Sequence, residues 1–586
     1  MAKVYGIDLG TTYSAIATLN DNGMPEVIEN FADSKPLLAS AVYFPEGEDP
    51  VIGEAAKNQL EVASDLVVQF IKREIGKPDA QEREFDGVTY DPITISSLIL
   101  KRMAEYAGEQ GHDVKDVVIT CPAYFGNEER NATRQAGIIA GLNVLNIVNE
   151  PTAAAFNYLS REFKENRKIM VYDLGGGTFD ITLFDFSVAD DGKTSIDVIR
   201  SGGNDRLGGA DWDARLFSYI ADLYVDENGI DHETLDNDAE LKLKIRSAVE
   251  QTKISLTGLK SKSFVIHHDG DTSRLEVTRE KFEEITNDLV EQTINYVNDI
   301  LSQASVSAEE VDIVLLVGGS TKMPMIKTAI ETIFPGKVRF EDPDLAVAKG
   351  AALAAAIEYN ERIREFIARE EETSGGSVAA EETNRFGDGI ETIFTEEEVP
   401  KTAEEAKNFI IDVPMAFAEG STVIDKLSRA FGTGAVTETR ETVLDTLLFD
   451  GDTSPSEASA VYIIPGAYAD KPETTTFVDP IYECKQRRGE PNLTLKDANG
   501  NPCNNDPGML LKEIGTIEIK IPPYSPRDTR LEYTILARGD GVHVAARNLN
   551  TNEEFKAFIL SENTKSPEEL AEAMQRISTI KTRGDY

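Results

Sequence analysis

The sequence predicts a duplicated α/β architecture followed by a β-rich C-terminal part. Three observations carry that expectation: two similar strand–turn–strand units about 165 residues apart, a third glycine turn after a strand, and two-residue periodicity near the C-terminus. In "YGIDLGTTYSAIATL" (Tyr5–Leu19) an apolar strand reaches Asp8, turns through Gly10, Thr11 and Thr12, and returns as a second apolar strand. "MVYDLGGGTFDITLF" (Met170–Phe184) repeats the design with Asp173, Gly175, Gly176, Gly177, Thr178 and Asp180. In "VDIVLLVGGSTKMP" a strand meets Gly318, Gly319 and Ser320 before a helix-like run from Pro324. Any one such turn is explained equally well as a structural hairpin, but three in order are far more specific.

Glycines without a Cβ let backbone N–H groups approach a ligand closely. Amide donors, a hydroxyl and flanking carboxylates suit a nucleotide phosphate with its Mg²⁺, held between the two halves. Other stretches supply polar groups. "FIKREIGK" carries Lys72 in a mixed apolar–basic segment. Val117–Tyr158 reads as strand, Pro122 turn, helix, short strand, and a second helix opened by Glu150 and Pro151. "AVEQTKISLT" puts Glu250 and Lys253 on one helical face, which an ordinary surface ion pair would explain as well.

The 586 residues allow three or four domains of the usual ~150 each, and 41% apolar content suffices for ordinary cores. No run approaches the ~18 apolar residues of a membrane span, and Met1–Leu19 lacks a signal-peptide pattern. Cys121, Cys484 and Cys503 include no CxxC, which argues against a disulfide framework or zinc site. Five scattered histidines argue against a histidine-based metal site. A net charge of −44 disfavours nucleic acid and anionic membranes as partners and fits a soluble cytoplasmic protein.

"IDLGTTYSAIA", "AYF" with Arg130, "NEPTAAA", "YDLGGGTFD", "RLGGADWD", "VGGSTKMP" and "DPDLAVAKGAA" occur in this order between about Val4 and Ala356. By these motifs the chain strongly resembles the seventy-kilodalton heat-shock (DnaK-type) chaperones. The resemblance implies an actin-like, duplicated ribonuclease H-like ATPase domain over residues 1–369, binding ATP/ADP and Mg²⁺. It implies that Asp8 and Asp173 hold the water shell of the metal, and that Gly10, Thr11, Thr12, Tyr13, Gly175, Gly176 and Gly177 cradle phosphates. Lys72 would place the attacking water and offset γ-phosphate charge, with Glu150, Asp173 and Thr178 completing the hydrolytic site. Gly208, Glu250, Lys253, Thr257, Gly318, Gly319, Ser320, Lys322 and Asp344 would surround the rest of the nucleotide. Pro122 and Arg130 match a relay between nucleotide state and peptide affinity. The implied partners are unfolded or apolar peptide segments, a J-domain co-chaperone and a nucleotide exchange factor. The implied function is an ATP-dependent chaperone; the alternative is a nucleotide-switched scaffold with one dedicated partner.

The middle of the chain departs from that pattern. Glu370–Ala406 carries twelve acids against two bases and reads as a flexible acidic spacer, continued to residue 408. "FIID" (Phe409–Asp412) resembles the short apolar linker of the family. Residues 409–560 resemble its β-sandwich peptide-binding domain, clearest where Ile517, Ile519 and Ile521 alternate and where "RLEYTILARGDGVHVAA" reads as a hairpin. Residues 561–586 form a short tail with one helix, opened by Ser566, Pro567 and Glu569 and running to about Ile577, where the family has a much longer helical lid.

Overall fold

Each central strand sends alternate side chains into two different cores. The computed structural model describes residues 3–584 except 31–34, 162–164, 190–192, 341, 375–401, 415–416, 418–421, 428, 437–440, 455, 465–466, 497–500, 504–508, 510, 539–540 and 560–563. In the first sheet Tyr5–Asp8 pairs antiparallel with Tyr13–Leu19, which pairs antiparallel with Pro25–Val27. On its other edge Tyr5–Asp8 runs parallel to Asp116–Cys121, and that strand runs parallel to Asn143–Asn149. In the second sheet Arg167–Leu174 is antiparallel to Phe179–Val188, which is antiparallel to Thr194–Asn204. Here too the first strand has parallel neighbours on its other side, Ile313–Val317 and then Val338–Phe340. One order and one set of strand senses thus occur twice, matching the repeat read from the two turns.

Met170, Tyr172 and Leu174 join a core with Trp212 and Leu216, while Ile169 and Val171 face the opposite way. In the first sheet Val117 and Ile119 meet helices Pro92–Glu109 and Asn127–Ile139, whereas Val118 points into the same middle core as Val171. Helices Glu150–Leu159 and Ala346–Ser374 fill that middle layer between the sheets. Covered on both faces, these strands read as near-continuous apolar runs. The two middle helices cross where Gly350 leaves no room for a Cβ against the Ala153 backbone.

The β-rich part is a sandwich. A five-stranded sheet (Thr494–Lys496, Thr442–Leu448, Ala430–Val436, Thr475–Cys484, Lys512–Ile521) packs on a four-stranded one (Ser456–Ile463, Arg530–Arg538, Gly541–Asn548, Glu554–Phe558). Ile517, Ile519 and Ile521 from the first meet Tyr533, Ile535 and Val544 from the second in one core, as their alternation requires.

The short apolar run expected to connect the halves lies against the N-terminal half. Phe409, Ile410, Ile411 and Val413 pack against the middle core, and Asn360 exchanges two 2.8 Å hydrogen bonds with the Ile411 backbone. The apolar surface of helix Ala346–Ser374 captures this run, so it continues the N-terminal half. Further along, the chain places Thr422–Lys426 parallel to Thr194–Asn204 at the edge of the second sheet, and onward against Thr453–Ser454. Much of the expected acidic spacer, residues 375–401, lies outside the described residues. Its ends do not match the expectation: the preceding helix continues to Ser374, and Ala403–Ala406 forms a helical turn with Ala406 buried. The C-terminal helix, Pro567–Thr579, starts on the expected Ser566–Glu569 capping box, but it lies on the N-terminal half. Among the described residues no helix is long and apolar enough to cross a membrane.

Candidate functional site

The glycine turns of the two halves meet face to face. A Cβ on Gly176 would overlap the Thr12 hydroxyl, one on Gly177 would overlap the Thr11 side chain, and one on Gly208 would run into the Gly177 backbone. Helix Gly209–Asn228 begins on this turn, with Gly209 N donating to Gly175 O at 3.0 Å and Ala210 N to Gly176 O at 2.8 Å. The third turn closes the same corner. Ser320 Oγ donates to Gly175 O at 2.8 Å, Gly318 takes a positive φ of 81° hard against the Leu174 carbonyl, and Lys322 pairs with Asp344. Gly319 faces the Asp344 carboxylate, and Gly10 approaches the Tyr13 carbonyl too closely for any side chain.

Beside the turns lies a buried set of charges. Lys72 pairs with Glu150, their side chains 5% and 8% exposed. The tight turn Ile71–Arg73 presents the lysine, and Phe70 before it is held at φ 59°, a left-handed conformation that a bulky residue seldom adopts. Burial pushes the Asp8 carboxyl up to about 7, helped by the nearby Glu150 charge and opposed by Lys72 and by the Thr120 hydroxyl at 3.2 Å. Asp173 and Asp180 are pushed well above the carboxylate range, again first by burial and then by Glu150. Burial alone would lower the Lys72 ammonium, but Glu150 and Asp8 hold it above its ordinary value. The lysine therefore stays charged, and the carboxylates around it want a further cation. An all-oxygen donor set of this kind fits a hard divalent ion. Among the described residues no three of these carboxylates converge within 4.8 Å; a group that does, Asp238, His268 and Asp269, lies elsewhere, where the N-cap of helix Ala239–Gly258 meets a hairpin tip.

Further pairs, which the sequence alone did not reveal, lie beside the turns, and some of them join the two halves. Glu250 and Lys253 share a helix face, as expected, but do not pair with each other. Lys57 from the first half reaches Glu250 at 2.6 Å and the Tyr13 hydroxyl at 2.8 Å, while Lys253 reaches Asp213 at 2.6 Å and Gly209 O at 3.1 Å. Thr257 lies one turn beyond Lys253, its carbonyl accepting from Arg279 at 3.1 Å. Thr178 is buried in the second turn. Arg73, beside Lys72, donates twice to Gly177 O, at 2.9 and 2.6 Å, and pairs with Asp211 at 2.8 Å. It braces the central glycine turn from the opposite half. Its only signal in the sequence was adjacency to Lys72. Asp180 accepts from Ala123 N at 2.7 Å, tying the second hairpin to the segment that precedes Arg130.

Comparison with known proteins gives a consistent result. The family model described as "Hsp70 protein" matches residues 4–423. A "Chaperone protein DnaK" of Thermosipho melanesiensis is 39% identical over 398 residues, covering 66% of this chain and 63% of that protein. Proteins of the same name from Thermotoga neapolitana and Thermotoga maritima are 40% identical over 364 residues, covering 60% of this chain and 59% of each. The matches thus span about six tenths of the length of these relatives.

Proposed function

The chain belongs to the Hsp70 family, and we propose that it is an ATP-driven chaperone whose β-sandwich binds and releases apolar peptide segments. The observation that carries this reading is the buried Lys72–Glu150 pair, set among raised carboxylates beside two facing glycine turns. Phosphoryl transfer to water depends on positioning and electrostatics more than on covalent chemistry, and these residues supply both. Backbone amides of the turns at Thr11–Thr12 and Gly175–Gly177 hold phosphate oxygens. Glu150 keeps the Lys72 ammonium charged and aimed, so that it can hold a water and offset charge as the γ-phosphate leaves. Asp8 and Asp173 would hold Mg²⁺ through its waters, and that ion would supply the positive charge that phosphates and carboxylates both need. Arg73 keeps the glycine turn in place by binding Gly177 O.

The repeated five-strand order supports an actin-like, duplicated ribonuclease H-like nucleotide-binding domain. Its extent on this reading is residues 3–413, with Thr422–Lys426 as the linker strand and the sandwich beginning at Ala430. Because that strand belongs to the second sheet, a shift of the sheet on nucleotide binding reaches the sandwich directly. A cytoplasmic location, a J-domain co-chaperone and a nucleotide exchange factor follow from the same reading. The test is hydrolysis of ATP by the full chain with and without Mg²⁺ and with and without an unfolded apolar peptide. Slow, Mg²⁺-dependent turnover that the peptide stimulates supports the proposal. No hydrolysis under any of these conditions refutes it.

A further inference from the structure

The core of the sandwich holds a group of polar side chains among its aliphatic ones. On strand Thr475–Cys484 the residues Phe477 and Ile481 face the core, so alternation turns Asp479 inward between them, and it is 6% exposed. The Thr433 hydroxyl, on the neighbouring strand, donates to Asp479 at 2.7 Å. From the facing sheet the Tyr533 hydroxyl, on a residue 1% exposed, lies beside Asp479 but completes no hydrogen bond of ordinary geometry. The Tyr533 ring meets the Tyr462 ring edge-on at 5.3 Å, and the Tyr462 hydroxyl donates to Asp445 at 2.7 Å. Asp445 and Tyr462 are half-buried, so the group opens to the surface on their side.

Two carboxylates in such a place need a counter-charge, because a buried charge is paired or else neutralised. Among the described residues neither Asp445 nor Asp479 has a lysine or arginine partner. Burial raises the Asp479 carboxyl above its ordinary range, and the forces opposing it come from the Thr433 and Tyr533 hydroxyls, not from a cation. What the group offers a ligand is acceptors: carboxylate oxygens, an unsatisfied hydroxyl and the rings of two tyrosines. That set recognises an ammonium or guanidinium, which brings several donors and a charge that aromatic faces also attract. A divalent metal ion is less well served, since among the described residues no third carboxylate or histidine joins the pair.

The surface beside the group is apolar. Strand Ser456–Ile463, which carries Tyr462, exposes Val461 by 53% and Ile463 by 60%. Among the described residues that strand pairs on one side only, with Arg530–Arg538. An acidic opening next to exposed aliphatic side chains is complementary to a basic residue flanked by apolar ones, and the long stem of lysine or arginine suits both environments.

We propose that the sandwich selects its peptides by a basic residue, whose ammonium or guanidinium meets Asp445, Asp479 and the two tyrosines while its apolar neighbours rest on Val461 and Ile463. The inference takes from the proposed function only that the sandwich binds peptide, and it names which peptide.

The test is fluorescence anisotropy with the full chain and three short alanine–leucine peptides, identical except for a central lysine, norleucine or glutamate. With ADP present the lysine peptide should bind about tenfold tighter than the norleucine peptide, the worth of a charge-assisted contact, and the glutamate peptide weakest. Asp445→Asn with Asp479→Asn, which keeps the side-chain volumes, should bring lysine and norleucine within about twofold of each other. Norleucine binding as tightly as lysine to the unmutated chain refutes the pocket, whatever the variant does. A lysine preference that survives the double substitution also refutes it, because the preference then comes from general attraction to a chain of net charge −44. The same titrations with ATP separate this inference from the function it builds on. A lysine preference with equal affinities in ATP and ADP keeps the pocket and removes the ATP-driven cycle, and binding of none of the three peptides refutes both.

Discussion

Replacing Lys72 by alanine should damage the nucleotide site in two measurable ways. In the folded chain its ammonium is 5% exposed and faces Glu150 at 8%, with Asp8, Asp173 and Asp180 close enough to be perturbed by the pair. Removing the cation leaves Glu150 buried without its partner, which typically costs about 3–5 kcal/mol. Removing both partners leaves no lone charge, so Lys72→Ala with Glu150→Ala should recover most of that loss. Urea unfolding of the nucleotide-free chain measures both. The second effect is kinetic: loss of one group that stabilises charge in the transition state lowers turnover by about 10²–10³-fold. Single-turnover hydrolysis with protein in excess measures it, and nucleotide affinity should change far less. Hydrolysis at the unmutated rate would sink the assignment of Lys72. A double variant as unstable as the single one would show that the lone-charge argument is wrong.

Asp8→Asn should weaken Mg²⁺-dependent nucleotide binding in calorimetry while raising nucleotide-free stability, because it removes a carboxylate that burial and Glu150 disfavour. The pH dependence has a definite sign. Asp8 titrates near 7 in the folded chain against 3.8 ordinarily, and Asp173 and Asp180 shift the same way, so the folded chain holds protons that the unfolded chain has lost. Without a divalent cation their contribution to stability is full below pH 4 and is lost as pH rises through about 7; a flat urea profile over that range would contradict it. Arg73→Ala frees Gly177 O and Asp211, and nucleotide affinity by fluorescence titration should fall about tenfold, the loss of one charge-assisted contact. Unchanged affinity would remove Arg73 from the site.

The nucleotide site was legible because its chemistry is local. A turn that must admit the opposite turn excludes side chains, so Gly176 and Gly177 announce themselves in the sequence. Arg73 and Lys57 did not, because their partners lie far along the chain and in the other half; nothing near Lys57 in sequence points to Glu250. The linker shows a different limit. "FIID" and "TVID" are both short apolar runs ended by an acid, and composition cannot rank them. Their surroundings differ: Ile411 meets Asn360 on the long helix, while Thr422–Lys426 pairs with the edge strand Thr194–Asn204, which is why the proposed reading takes the second as the linker. Likewise the capping box at Ser566 fixed where the last helix begins, but only the apolar face left by Leu98 and Ile99 determines where it lies.

The most direct test of the account is peptide affinity as a function of nucleotide. A fluorescent apolar peptide is titrated into the full chain saturated with ATP, using a hydrolysis-deficient variant, and again with ADP. If sheet, linker strand and sandwich are coupled, the two affinities differ by at least about fivefold, and peptide changes ATP affinity by the same factor. Equal affinities in the two states would contradict the chaperone reading, and binding of one particular protein instead would identify a nucleotide-dependent scaffold.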